Sequence, residues 1–343
     1  MDEVDVVQVE TGRWFEARQA LHKRLLWHDV SNRIALRNPG LKSVRLTHSY
    51  DAVIAVCQNW WDLLQLNAIL DWHRHCGTSV CYVDELYSCD IDAYRHWLPA
   101  LARFDHIVLG MRGSVNAVER AIGKRCHHVP LGIDALRFSP YPDPPQRVID
   151  IYSIGRRLPS LHDALVDYAV GTGRLYLYDT IVDVANASTI SHVAYRDALA
   201  GLVKRSRFFL VAPAKHDTTS QTGGQQEIGY RYFEGAAAGA VMLGQAPQCD
   251  AFHELFDWPD AVVPVRADGS DAAEVLETLS EQPRRLDGIG RRNAREVLLR
   301  HDWVYRWMQV LAIAGLEPSA KMLARVGHLN ERAGLISQVD APD

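Results

Sequence analysis

The chain has 343 residues, of which 48% are hydrophobic and 23% charged, with a formal net charge of −5. That is the profile of a globular protein long enough for two domains, each with a full core. The weakly acidic balance excludes a general polyanion-binding surface, so nucleic acid is not expected as a partner and any phosphate site must be local.

The first residues are acidic and lead into no apolar core of signal-peptide length. Residues 4–9 alternate weakly and predict a first strand, followed by a helical stretch over 13–27. Short apolar runs at 43–47, 52–57, 79–83, 106–109 and 127–129 then alternate with helical patterns at 60–73, 93–103 and 115–122. Strands alternating with helices predict a parallel sheet covered on both faces. The tryptophans at 60, 61, 72 and 97 are expected in core packing, where one can also stack on a sugar ring. Five of the six cysteines lie between residues 57 and 126 without a CxxC pair, which points to buried thiols in a reducing compartment. The spacing of Cys76, Cys81 and Cys89 near His73 and His75 fits no zinc pattern, so no metal is expected there. No run of about 18 apolar residues exists, and a cytoplasmic location follows as the expectation.

Proline density rises sharply over 130–145, predicting an extended connector. The alternation restarts with strands expected at 148–154, 174–178, 207–212, 240–243 and 261–265, and two helical patterns close the chain at 303–314 and 320–333. The expected domains are 1–133 and 148–302, joined by a connector at 134–147. Residues 303–343 are expected to cross back toward the first domain.

Within the second half, a polar, glycine-bearing loop at 218–226 separates a buried strand from the helix that carries Glu234. Strand, Gly-rich loop and helix together can present backbone N–H groups to phosphate, with Gly223 and Gly224 as the turn residues. Arg231 and Glu234 are three apart and share a helix face. A carboxylate there can accept from two ribose hydroxyls, although an ordinary solvated glutamate near a helix start also fits.

The connector at 129–140 (VPLGIDALRFSP), the segment Ile154-Gly155-Arg156-Arg157-Leu158 and the segment 231–239 (RYFEGAAAG) resemble glycosyltransferases of the GT-B fold. The likeness is to the retaining group-1 enzymes, in the branch related to spore-coat-type glycosyltransferases, and it covers roughly residues 45–310. The resemblance implies an α/β protein with two Rossmann-like, doubly wound domains whose parallel sheets face a central cleft. It implies a nucleotide-diphosphate sugar as co-substrate, with Glu234 on the donor ribose and Arg156 on the diphosphate. The implied acceptor is a small molecule, glycan or lipid-linked sugar held by the first domain.

Two departures from the family pattern stand out. Glu227 and Glu234 are separated by six residues rather than seven, so either Gln226 or Glu227 fills the first acidic position. Residues 157–162 contain no lysine, so Arg157, Lys215 or Arg231 must supply a second cation. Stabilising the departing diphosphate without a metal requires cations and backbone N–H groups, and Arg156, Arg231, Lys215 and the Gly223-Gly224 loop are the available set. Arg156, Arg231 and Glu227 are therefore the expected catalytic residues, and no cofactor is expected. The 215–217 segment, Lys-His-Asp, follows a strand end, where it can contact the donor sugar. Asp84 and Glu85 lie at the ligand edge of the first sheet and are the candidate acceptor contacts. A non-catalytic relative that binds a nucleotide sugar remains the alternative to an enzyme, and a cleft-type binding protein is a third reading of the fold.

Overall fold

A computed structural model describes residues 4–28, 32–58, 60–179 and 191–338. The chain forms two compact units, one comprising 1–130, 220–225 and 307–319, the other 131–219, 226–306 and 320–343.

In the first unit, β1 (Val44–Arg45) and β3 (Ile69–Leu70) make a short parallel pair. The main sheet is formed by β2 (Tyr50–Cys57), β4 (Cys76–Val83), β5 (His106–Leu109) and β6 (Cys126–His128), all parallel, in the consecutive order β2-β4-β5-β6. Because side chains alternate along a strand, the sheet has two apolar faces. Ala55, Cys57, Cys81, Val83, Ile107 and Leu109 pack with Leu63, Leu64, Trp72, Trp97 and Val118. Val80, Tyr82 and Val108 meet Trp307, Val310 and Ile313 of the closing helix.

Residues 4–9 form no strand, and Val4 and Val6 are among the most exposed apolar residues. The helix expected at 60–73 is a shorter Trp60–Gln65 followed by 3-10 turns at Leu66–Ala68 and Trp72–Arg74. Its pattern is broken because Ile69 and Leu70 pair with β1, and Asp71 turns the chain with φ +52. The stretch 93–103 is likewise split, with Pro99 in the first turn of Leu98–Leu101, where its missing N–H is tolerated. Val115–Ile122 forms as expected and ends at Gly123, whose φ of +66 suits the left-handed C-terminal position. Trp72 stacks on Phe104 and Trp97 on Tyr94, so both serve the core. The side chains of Trp60 and Trp61 lie outside the described ones. All six cysteines are free thiols, and Cys57, Cys81 and Cys126 are buried.

The second unit carries β7 (Ile149–Ser153), β8 (Tyr176–Tyr178), β9 (Ser206–Val211), β10 (Val241–Gly244) and β11 (Val263–Pro264). These five strands are parallel in the order β11-β10-β9-β7-β8. The chain steps outward from β7 to β8, then returns to build β9, β10 and β11 on the other side. The reversal creates a switch point between β7 and β9, where loops diverge at the carboxyl ends and leave a crevice.

The helix Tyr230–Ala237 lies close on β9 and β10 because Gly235 has no side chain. A Cβ there would stand 2.7 Å from Phe209 and 2.9 Å from Met242. Beneath it, His301 is fully buried among Phe233, Phe256 and Trp258.

The proline-dense segment is packed into this unit. Phe138 and Tyr141 are buried, and Arg147 donates to the carbonyls of Ser206, Ala238 and Gly239. Ile133 pairs with Asp302, whose buried carboxylate accepts from Ala135 N at 2.9 Å and from both ends of the Arg325 guanidinium at 2.8 Å. The tail divides, with 307–319 in the first unit and the helix Ala320–Gln338 in the second. No helix among the described residues is long and apolar enough to cross a membrane.

Candidate functional site

The switch point of the second sheet holds a cavity of about 240 Å³. Its walls are the turn after β7 and the loop after β9, closed by the start of the helix Tyr230–Ala237. Gly155 leaves β7 with φ +83, a conformation that reverses the chain before Pro159 opens the next helix. Lys215 takes φ +51 in the loop after β9, a left-handed conformation uncommon for a residue with a side chain. Gly229 is the N-cap of Tyr230–Ala237 and supplies no side-chain cap to its first N–H groups.

Arg156, Arg157, Lys215 and Arg231 line the cavity, and among the described residues no Asp or Glu does. The acidic partners stand outside the lining. Arg156 is paired with Asp217 at 2.8 Å, both about 41% exposed. Burial alone pushes the Asp217 carboxyl up, but the hydrogen bond and charge of Arg156 outweigh it and hold the group below the usual carboxylate range. Arg157 donates to Asp179 at 2.8 Å, and the other oxygen of Asp179 accepts from Gly155 N at 3.1 Å. The end of β8 thereby fixes the turn after β7.

Glu234 sits one layer below. It is 1% exposed, one carboxylate oxygen accepts from Arg231 and the other from Arg196. Arg231 therefore spans two layers, lining the cavity while its guanidinium is held by Glu234. Burial disfavours the Arg231 charge, and Glu234 more than compensates, raising its pKa. Arg196 comes from the helix His192–Lys204, and its guanidinium lies 4.8 Å from the centre of the Phe138 ring.

Of the residues expected at a donor site, the cavity collects Arg156, Lys215 and Arg231. Glu227 is buried, its carbonyl accepts from Ala214 N at 3.1 Å, and it does not line the cavity. Gln226 is exposed, and its side-chain oxygen accepts from Gln248 N at 2.8 Å. Gly223 and Gly224, with φ +60 and +81, belong to the first unit, where a Cβ on Gly223 would stand 2.9 Å from that of Cys89. Gln225 of the same loop accepts from Ser88 N and Oγ and donates to Ser114. Asp84 and Glu85 stand at the carboxyl end of β4, with their N–H groups bonded to Cys57 and Gln58. Asp179 and Arg196 were not singled out in the sequence. Neither carries a local signal, since Arg196 lies on a separate helix 38 residues before Glu234. Among the described residues no group of three or more His, Cys, Asp or Glu is placed to hold a metal ion.

Two α/β units with parallel sheets, the second carrying a cationic crevice at its switch point, define a GT-B fold. Residues 157–312 match the model of a family described as glycosyl transferase-like. No curated protein matches the chain. Among solved structures, a variant of TarM from S. aureus in complex with fondaparinux, alpha-GlcNAc-glycerol and UDP is similar at 8% identity and a TM-score of 0.50, over 76% of this chain and 55% of that one. A glycosyltransferase from Rickettsia africae is similar at 11% identity and a TM-score of 0.47, over 93% of this chain and 84% of that one. The chain thus spans about half the length of the TarM chain, and at these identities the likeness concerns the fold.

Proposed function

We propose that the protein is a glycosyltransferase that moves a sugar from a nucleotide-diphosphate sugar to an acceptor hydroxyl, with retention and without a divalent metal. The observation that carries this reading is the cavity at the switch point, lined by four cationic side chains and, among the described residues, by no carboxylate. Such a site suits a dianionic leaving group, because the positive charge is already in place when the glycosidic bond breaks. Arg156 and Arg231 offer planar forks that hold phosphate oxygens at two points, and Lys215 adds a compact charge. Among the described residues the lining offers no carboxylate to magnesium or manganese, and we assign the role a metal would play to the side-chain cations. Once the bond is broken, the departing phosphate oxygen can accept the acceptor's proton on the same face, and no separate enzymatic base is needed.

Glu234 acts by orienting Arg231, and it meets the ribose only where the hydroxyls displace Arg196. Glu227 acts from behind the loop, through the bond from Ala214 N to its carbonyl. Asp84 and Glu85 are the contacts we assign to the acceptor, a small molecule, glycan or lipid-linked sugar. The TarM variant of similar fold is complexed with UDP, in keeping with a nucleoside diphosphate here.

A second reading, a non-catalytic nucleotide-sugar binder, draws on the exposed Gln226 and on a Glu227 that does not line the cavity. Donor hydrolysis without acceptor separates the two. Slow release of nucleoside diphosphate from a sugar nucleotide supports the enzyme. Tight binding of the sugar nucleotide with no release over the uncatalysed rate supports the binder.

A further inference from the structure

We propose that His216 reads the sugar of the donor, its Nε2 accepting a hydrogen bond from a hydroxyl of the transferred ring. The inference rests on the reading of the cavity as the donor site. His216 lines that cavity together with Lys215 and Arg156. Its Nδ1 lies 3.3 Å from the carbonyl oxygen of Pro213. A carbonyl only accepts, so Nδ1 carries the proton, and Nε2 of the neutral ring presents a lone pair.

That Nε2 is buried and has no hydrogen-bond partner among the described residues. Buried polar atoms are nearly always paired in folded proteins, and an exception in a ligand cavity marks a place where the ligand completes the bond. The ring is also held in position. His216 N donates to Pro213 O at 3.2 Å, and the Thr218 N–H and hydroxyl both reach Lys215 O. The same tight turn imposes φ +51 on Lys215, a strained conformation of the kind found where a loop is shaped around a ligand.

The chemistry of the partner follows from the lone pair. Phosphate oxygens are acceptors and go to Arg156, Arg231 and Lys215, so they offer Nε2 nothing. A hydroxyl is the donor that a sugar nucleotide brings beyond its diphosphate, and the segment carrying His216 follows the strand end next to the diphosphate cations. His216 is thus a specificity residue for the transferred sugar, distinct in role from the cations that hold the leaving group.

The test is calorimetric titration of the wild type, His216→Ala and His216→Gln with UDP and GDP, and with UDP-glucose, UDP-N-acetylglucosamine and GDP-mannose. For the base that binds, His216→Ala is expected to hold the nucleoside diphosphate within about twofold of the wild type. It should lose about three- to tenfold for the sugar nucleotide, the worth of one hydrogen bond between neutral groups. His216→Gln, whose amide oxygen can accept, should recover part of that loss. Equal loss for both ligands, or for neither, overturns the assignment while leaving the donor site standing. A wild type that binds none of the five ligands, nor ADP or CDP, overturns the donor site and this assignment with it.

Discussion

Replacing Glu234 by glutamine keeps the shape of the side chain and removes its charge. In the structure that carboxylate is 1% exposed and is shared by Arg231 and Arg196, whose side chains are 29% and 32% exposed. Removing one partner of a buried ion pair costs about 3–5 kcal/mol, because the remaining charge is left unpaired. Here the two guanidinium groups keep some access to water, so a loss of about 2–3 kcal/mol is expected, near the lower end. At about 2–4 °C per kcal/mol for a unit of this size, the melting temperature should fall by about 5–10 °C. The second effect is on binding. Without Glu234 to orient it, Arg231 no longer presents its charge to the cavity in one geometry, and nucleoside diphosphate affinity should fall about tenfold, equivalent to about 1.4 kcal/mol. Differential scanning calorimetry and titration with UDP or GDP measure the two losses independently. If Glu234→Gln melts normally and binds nucleotide as the wild type does, the two-layer arrangement of Glu234 and Arg231 has no functional weight and the reasoning fails.

Arg156→Ala should weaken nucleoside diphosphate binding by about 1.5–3 kcal/mol, the range for a hydrogen bond to a charged group, as read by titration. Asp217→Asn should strengthen it slightly, by less than about 1 kcal/mol, because the exposed Arg156–Asp217 pair competes with the ligand. His301, buried and facing Arg306, has its pKa pushed down to about 3, first by burial and then by the Arg306 charge. Its folded-state value lies below the unfolded one, so its contribution is full above about pH 6.5 and is lost as the pH falls toward 3. Urea unfolding at pH 7 and pH 5 should show this as a loss of up to about 2 kcal/mol, and His301→Gln should flatten that part of the profile. Turnover should survive a chelator, and an activity abolished by EDTA and restored by magnesium or manganese would contradict leaving-group stabilisation by side-chain cations alone.

The extent to which this was legible in the sequence follows from how local each signal is. Apolar runs such as 79–83, 106–109 and 240–243 became strands because all their residues but His106 are buried. The alternation at 4–9 came to nothing because no neighbouring strand offers it a ladder. Arg156 was readable because a glycine-arginine pair directly after a strand fixes its own place at the sheet's carboxyl edge. Gly223 and Gly224 were less so. Two glycines announce a turn, and both do take positive φ, but the turn packs on Cys89 instead of the cavity. Glu234 was recognisable as a special carboxylate, while its partner Arg196 was invisible, since a helix 38 residues upstream is brought alongside only by the folded sheet. The proline-dense segment advertised an extended chain, whereas Ala135–Phe138 is a short helix capped by Asp134, and composition gave no sign that Phe138, Tyr141 and Arg147 would anchor the segment in the second unit.

The central claim is that the crevice between β7 and β9 binds a nucleoside diphosphate through Arg156, Lys215 and Arg231. A thermal-shift panel of UDP, GDP, ADP and CDP tests it most directly, run on the wild type and on Lys215→Ala. At a concentration of 100 times Kd, a ligand specific to the folded state adds about 2.7 kcal/mol, and the account predicts a rise of several degrees with one base in the wild type and a clearly smaller rise in the variant. No shift with any nucleotide, or a shift of full size in Lys215→Ala, would contradict it.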